Sequence, residues 1–338
     1  MKNKLIIAFL KLFKKKAAQS NRILVVASTA LGDTLWATPA IESLRKSFPE
    51  AYIAVLTSPI GEQVLRHNPW VNQIHILKEP MLFHFFSLRK KLGTFNDIIV
   101  LHASQRLMLP LCATLGATRI VGTAGINKGL DQLLTHPLSN INQHEIVRRL
   151  QLIETIGAKR HSETLSMFIQ PNETAPPLPS GRWIALHPGS KDAFKRWPAH
   201  HFVQLGQALQ AKGFNILITG TTEESELTKS IARQIPGATI SDPHLPLRLF
   251  ASLLQQVDLL IANDTGPVHL ACALNKPVIA IYSPTNPKLC GPHKAKKAIV
   301  IAKPPTCQPC LKRKCREPFC FLQISPEEVL QSAVALTQ

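Results

Sequence analysis

The sequence predicts an α/β protein of two doubly wound halves, each a parallel sheet with helices on both faces. Short β-branched runs alternate with helix-patterned stretches, which is the mark of βαβ units. The alternation breaks at "QPNETAPPLPSG" (170–181), where four prolines interrupt it, and then starts again. A chain of 338 residues with 45% hydrophobic content is also long enough to fill two cores of ordinary size. The expected organisation is a basic extension at 1–20, a first domain at 21–170, a linker at 171–181, a second domain at 182–324 and a final helix at 325–338.

In the first half, "RILVVA" (22–27) reads as a strand, "STALGDT" (28–34) as a loop and "LWATPAIESLRKSF" as a helix. "AYIAVLTS" (51–58) and "QIHIL" (73–77) are strands on either side of the helical "IGEQVLRHNPW". "FNDIIVLHAS" (95–104) leads into "QRLMLPLCATLG", and "RIVGT" (119–123) follows. In the second half "RWIALHPGS" (182–190) is strand and loop, and "HHFVQLGQALQAKG" (200–213) is a helix stopped by Gly213. "FNILITG" (214–220) is a strand, and the helix after it carries acids in its first turn, where the macrodipole favours them. "LRLFASLLQQV", "DLLIAND", "PVHLACALN" and "KPVIAIYSP" complete the set, and Ser325 caps a last helix that has Pro326 at its first position. In sheets of this kind ligands bind beyond the carboxyl ends of the strands, so a cleft between the halves is expected.

The formal charge of +18 is patchy: residues 1–16 hold six lysines, and 288–316 hold nine Lys or Arg, with no acid in either. Such patches suit acidic surfaces or acidic substrates. Aromatic content is 6% and no helix-turn-helix or RNA-binding signature occurs, so no nucleic-acid partner is expected. The N-terminal "MKNKLIIAFLKLFKKK" is too short to span a bilayer and lacks a signal-peptide cleavage site. It fits an interfacial helix, with Leu5, Phe9, Leu12 and Phe13 on one face among lysines. A solvated tail is the plainer reading. The chain is expected in the cytoplasm, resting on the anionic inner face of the inner membrane.

Seven cysteines, an odd number, argue against a fully paired disulfide framework. Four of them, Cys307, Cys310, Cys315 and Cys320, form "CQPCLKRKCREPFC". A C-x2-C followed by two further cysteines raises a structural zinc. Reduced thiols in a packed loop are preferred over it, and no metal site is assigned.

Three loops at strand ends carry the polar chemistry. In the first, Asp33 opens a helix after a glycine, and read alone it is an N-cap. In the second, Ser190, Lys191, Lys195 and Arg196 gather cations suited to an anionic ligand, or to a solvated loop. In the third, "IANDTGPVH", Pro267 suits a first helical turn, Gly266 allows close approach and Thr265 offers a hydroxyl. That is how a phosphate seat is built, although Asp264 or Thr265 as a plain N-cap explains the stretch equally. Neither G-x-G-x-x-G nor the P-loop pattern occurs, and there is no G-x-S-x-G elbow.

Four stretches, "ILVVASTALGDTLWATPAIESLRKSFPEA", "LHPGSKDAFKRWPAHHFVQLGQAL", "ILITGTTEESEL" and "LLIANDTGPVHLACALNKPVIAIYSPTNP", together resemble glycosyltransferase family 9, the lipopolysaccharide heptosyltransferases. The resemblance runs in order and spacing from about Ile23 to the C-terminal helix. It implies a GT-B fold, two Rossmann-like domains facing a central cleft, with the final helix crossing back to the first. It also implies an inverting transfer of L-glycero-D-manno-heptose from ADP-heptose to the lipopolysaccharide inner core or a lipid A precursor, with no cofactor and no catalytic metal.

Carried onto this sequence, the resemblance makes Asp33 the general base and Lys195 the cation that offsets charge on the departing diphosphate. Ser190, Thr265 and Gly266 fall near the phosphates, with His269 in the same donor-side loop. Glu223 or its neighbour Glu224 falls near the ribose. Asp264 would hold sugar hydroxyls or orient Lys195. Arg106 and the basic 288–316 stretch would meet acidic acceptor groups, or solvent. "PMLFHFFSLRKKL" (80–92) would face the membrane or lipid acceptor, or be a buried helix. The alternatives are a related enzyme transferring another nucleotide-linked sugar, and an inactive nucleotide-binding, membrane-docking protein. Asp33 together with Lys195 speaks for an enzyme, because binding alone needs no base.

Overall fold

The structure, a computed structural model, describes residues 21–78, 80–315 and 319–338. The expected interfacial helix at 1–20 lies outside the described residues. The chain divides into two units between Glu163 and Thr164.

The first unit builds a six-stranded parallel sheet from β1 (Arg22–Ala27), β2 (Tyr52–Thr57), β3 (Gln73–Ile76), β4 (Asp97–His102), β5 (Arg119–Thr123) and β6 (His136–Leu138). Its spatial order is β3-β2-β1-β4-β5-β6, and every pairing is parallel. The helices between are α1 (Leu31–Leu35), α2 (Thr38–Ser47), α3 (Pro59–Leu65), α4 (Met81–Leu92), α5 (Met108–Ala113) and α6 (Glu145–Glu154). Strands β1 and β2 are apolar and buried almost throughout, as strands covered on both faces must be. Leu24, Val26, Ile98 and Val100 join Met81, Leu88 and Phe95 in one core.

The second unit repeats the plan with β7 (Trp183–His187), β8 (Asn215–Ile218), β9 (Thr239–Ile240), β10 (Leu259–Asn263), β11 (Val278–Tyr282) and β12 (Ala298–Ala302). The order is β12-β11-β10-β7-β8-β9, which is the same winding. Its helices are α7 (Ala199–Ala211), α8 (Ser225–Ala232), α9 (Leu247–Gln256), α10 (Gly266–Ala273), α11 (Pro287–Cys290) and α12 (Pro326–Thr337). Helix α12 has the Ser325 cap and Pro326 start read from the sequence, and it packs on α7, β10 and β11 within this unit.

The proline-rich stretch is fastened to the second unit. The carboxylate of Glu173 accepts from Nε and Nη2 of the buried Arg248, at 2.5 Å each, and the Ala175 amide donates to the Ser252 hydroxyl at 3.0 Å. In both sheets the winding reverses between the two central strands, β1 and β4 in one and β10 and β7 in the other. The loops leaving those four strands are where such sheets place ligands.

Candidate active site

In the first unit the polar residues gather at the ends of β1 and β4. The register slips there: Val26 lies opposite Val100, but Ala27 lies opposite His102. An extra residue in one strand re-aims the side chain that follows it. His102 is brought to the Thr29 hydroxyl, its Nδ1 at 2.9 Å, and the same hydroxyl donates to the Asp33 carboxylate at 2.8 Å. Burial pushes the His102 imidazole below its usual range, with nearby Asp33 opposing.

Asp33 is not the N-cap that the loop suggested. Helix α1 begins one residue after Ala30, which takes the cap position without a side-chain bond, and Asp33 is the third residue of the helix. Its carboxylate is turned instead toward Thr29 and toward Arg149 of α6, whose guanidinium donates to it at 3.2 Å. Arg149 is 0% exposed, while Asp33 keeps 19% of its side chain open. Glu145, four residues back on α6, takes the other guanidinium nitrogen, and the Trp36 ring lies 5.3 Å from the guanidinium carbon. Burial pulls the Arg149 guanidinium below its ordinary range, and Glu145 and Asp33 pull it back. A buried cation with two carboxylate partners is the arrangement that physics requires of a charge taken out of water.

Sequence reasoning passed over Arg149, yet the sequence held a signal for it. Ile146, Arg149, Leu150 and Ile153 share one face of α6, so an arginine stands where the pattern calls for an apolar residue. Arg106 is exposed, beside a pocket that Gln105 and Lys128 also line. Gln105 accepts from the Ser28 hydroxyl at 2.9 Å, which ties this loop to the loop leaving β1.

In the second unit the loops after β7 and β10 are locked together by Asn263, which is fully buried. Its amide donates to the Pro188 carbonyl at 2.8 Å and its oxygen accepts from the Trp197 amide at 2.9 Å. On this frame Lys195 donates to Asp264 at 2.6 Å, and the Thr285 hydroxyl donates to the same carboxylate oxygen at 2.7 Å. Ser190 donates to the Asp264 carbonyl at 3.4 Å. Thr265 occupies the cap position of α10, but its side chain makes no capping bond, and Asp264 spends its carboxylate on Lys195 and Thr285. Gly266 and Pro267 open the helix as its first residues. A helix start without a side-chain cap, beside an ammonium group, is suited to an anion.

Glu224 and Glu223 separate clearly. Glu224 is buried and closes a capping box with Thr221, whose amide it accepts at 3.0 Å. Arg196 and His187 each lie 3.9 Å from its carboxylate. Burial drives the His187 imidazole down, with Glu224 opposing and Arg196 assisting. A Cβ on Gly189 would stand 2.1 to 2.3 Å from the Glu224 carboxylate, so a side chain there would push that carboxylate aside. Glu223 is exposed, and its own amide and the Thr221 hydroxyl hold its carboxyl below the usual range. His269 is buried within α10, at 3% exposure.

Cys307, Cys310, Cys315 and Cys320 line one pocket with Phe194 and Pro284. Among the described residues no three His, Cys, Asp or Glu side chains are placed to hold a metal ion, and no disulfide joins the cysteines. The loop braces the Lys195 turn from outside, with Arg313 donating to Asp192 at 2.9 Å.

Two doubly wound units, each with its polar loops at the winding reversal, define a GT-B glycosyltransferase fold, and solved structures agree. A family 9 glycosyltransferase from Veillonella parvula superposes with a TM-score of 0.82 at 21% identity, covering 96% of this chain and 99% of that one. The Escherichia coli ADP-heptose lipopolysaccharide heptosyltransferase II superposes at 0.76 and 21% identity, covering 94% and 98%. The chain belongs to glycosyltransferase family 9 (heptosyltransferase), whose family model matches residues 100–320. Among curated relatives, the lipooligosaccharide heptosyltransferase 2 of Campylobacter jejuni is 24% identical over 325 residues, covering 92% of this chain and 97% of its own length.

Proposed function

We propose that the chain moves L-glycero-D-manno-heptose from ADP-heptose to the lipopolysaccharide core, with inversion at the anomeric carbon. The observation that carries this reading is the Lys195–Asp264–Thr285 constellation at the uncapped start of α10, in a chain that belongs to this family. The E. coli relative is itself described as an ADP-heptose lipopolysaccharide heptosyltransferase.

The donor diphosphate sits against the first amides of α10, with Thr265 and Ser190 beside it. Asp264 keeps Lys195 extended, so the ammonium stands ready where charge builds on the leaving group. Glu224, fixed by its capping box, serves the ribose side. In the first unit Asp33 accepts the proton of the acceptor hydroxyl. As that oxygen bonds to the anomeric carbon, the bond to the diphosphate breaks and its electron pair leaves with ADP. A single displacement inverts the centre and needs no protein nucleophile. Thr29 and Arg149 fix the carboxylate in place, and Arg106 lies on a neighbouring loop suited to acceptor phosphates.

The acceptor being lipid-borne, peripheral contact with the cytoplasmic face of an anionic membrane follows from the same reading. The +18 charge supports it, as does the lysine-rich start of the sequence. No helix among the described residues is long and apolar enough to cross a membrane.

The test is transfer by purified protein from ADP-heptose to a panel of truncated lipopolysaccharide cores, followed by mass. A gain of one heptose on a single core is the expected result. If ADP-heptose binds but no core gains mass, the acceptor is wrong; if ADP-heptose does not bind, the donor is wrong.

A further inference from the structure

Helix α4 has two apolar faces, one set into the core and the other largely exposed. Met81, Leu88 and Leu92 enter the core of the first unit and Phe85 packs beside them, at spacings of four, three and four residues along one side. On the opposite side Leu82, Phe83 and Phe86 are 67%, 79% and 61% exposed. Positions i, i+1 and i+4 share one stripe of a helix, and the stripe continues to Ser87 and Lys90, both exposed. The last turn carries Arg89, Lys90 and Lys91, and no acid occurs between Pro80 and Gly93.

Two phenylalanines and a leucine on successive turns form an apolar patch of a kind that proteins expose where something covers it. The cations at one end select the cover. Aromatic and aliphatic side chains that enter the acyl boundary, with lysines on the same stripe reaching back to the headgroups, are the pattern of a helix lying in a membrane interface. We infer that the outward face of α4 is the surface by which the first unit docks on an anionic phospholipid bilayer. The inference rests on the peripheral-membrane reading above and assigns it a place. The inward face stays anchored in the core, so docking requires no unfolding of the helix. Anionic headgroups meet Lys90 and Lys91 while Phe83 and Phe86 displace interfacial water.

Vesicle flotation of the full chain tests this, using phosphatidylethanolamine with phosphatidylglycerol, and phosphatidylcholine alone for comparison. The wild-type chain should float with the anionic vesicles, and less so as salt is raised. A Leu82→Ser/Phe83→Ser/Phe86→Ser variant should lose binding by about tenfold or more, with its melting temperature kept and transfer to a water-soluble core oligosaccharide unchanged. A Phe83→Trp variant should gain quenching by brominated lipid beyond that of the wild type. If the wild type binds neither vesicle, the peripheral-membrane reading fails and this inference with it. If the wild type binds, the triple variant binds equally and Phe83→Trp gains no quenching, only the assignment to α4 is overturned. It is overturned equally if the triple variant turns a dimer into a monomer without changing flotation, because the face then meets a second copy.

Discussion

At the scale of single residues, each half of the proposed reaction hangs on one charged side chain held by others. Replacing Asp33 by Asn keeps the shape and removes the base, so turnover should fall by about 10² to 10⁴, with ADP-heptose affinity retained by calorimetry. Unchanged turnover would remove Asp33 from that role. Lys195→Met should lower kcat by about 10² or more, and it leaves the Asp264 carboxylate without its cation, beside the Thr285 hydroxyl. Arg149 holds Asp33 without facing the ligand itself, because it is wholly buried. Arg149→Lys keeps the charge but loses the planar fork that reaches Glu145 and Asp33 through separate nitrogens. A lower melting temperature is expected, because the buried charge keeps poorer partners. A fall in kcat with the KM for the donor unchanged would mark Arg149 as positioning Asp33; a fall in stability alone would leave it structural.

At the scale of elements, the decisive features are the turns between strand and helix. The loop after β7 passes so close to Glu224 that a methyl group on Gly189 would meet its carboxylate. Gly189→Ala should therefore push Glu224 out of its capping box with Thr221 and raise the Kd for ADP about tenfold or more, measured by titration, while the sheet stays folded. The strands at the sheet edges are a different matter. Neither β6 nor β9 nor β12 stood out in the sequence, because His136–Leu138 and Thr239–Ile240 are short and mostly exposed, and Ala298–Ala302 is largely half-buried. The first two lack the continuous apolar run that marks a buried strand; Ala298–Ala302 has such a run, AIVIA, and sequence reasoning passed over it. The stretch expected as a loop, residues 28–34, holds a short helix of its own, α1, ahead of α2, which is the helix expected from Leu35. Local pattern does not register that extra turn, and it is the turn that takes Asp33 off the cap position.

At the scale of the whole molecule, the histidines make stability depend on pH. His187 and His102 are driven below their ordinary value of about 6.5 by burial. The unfolded chain therefore binds protons at a pH where the folded chain does not, and stability is full above about 6.5 and lost as pH falls below it. The melting temperature should drop between pH 7.5 and pH 5.5, and His187→Gln should flatten part of that drop. An unchanged slope would assign the acid sensitivity to other groups.

The sequence alone determined the class of architecture, two doubly wound halves, because buried parallel strands and amphipathic helices write their burial into hydrophobic periodicity. It also marked the polar loops at the strand ends, because glycine, proline and charge there are local signals. Only the tertiary structure decided which polar groups meet. Arg149 reaches Asp33 across 116 residues and Lys195 reaches Asp264 across 69. Partnership at that separation is set by the winding of the sheet, which brings distant strand ends side by side, and no window of local sequence contains it. The same holds for Glu223 and Glu224, adjacent and chemically alike, which a single capping box sorts into a surface group and a buried one.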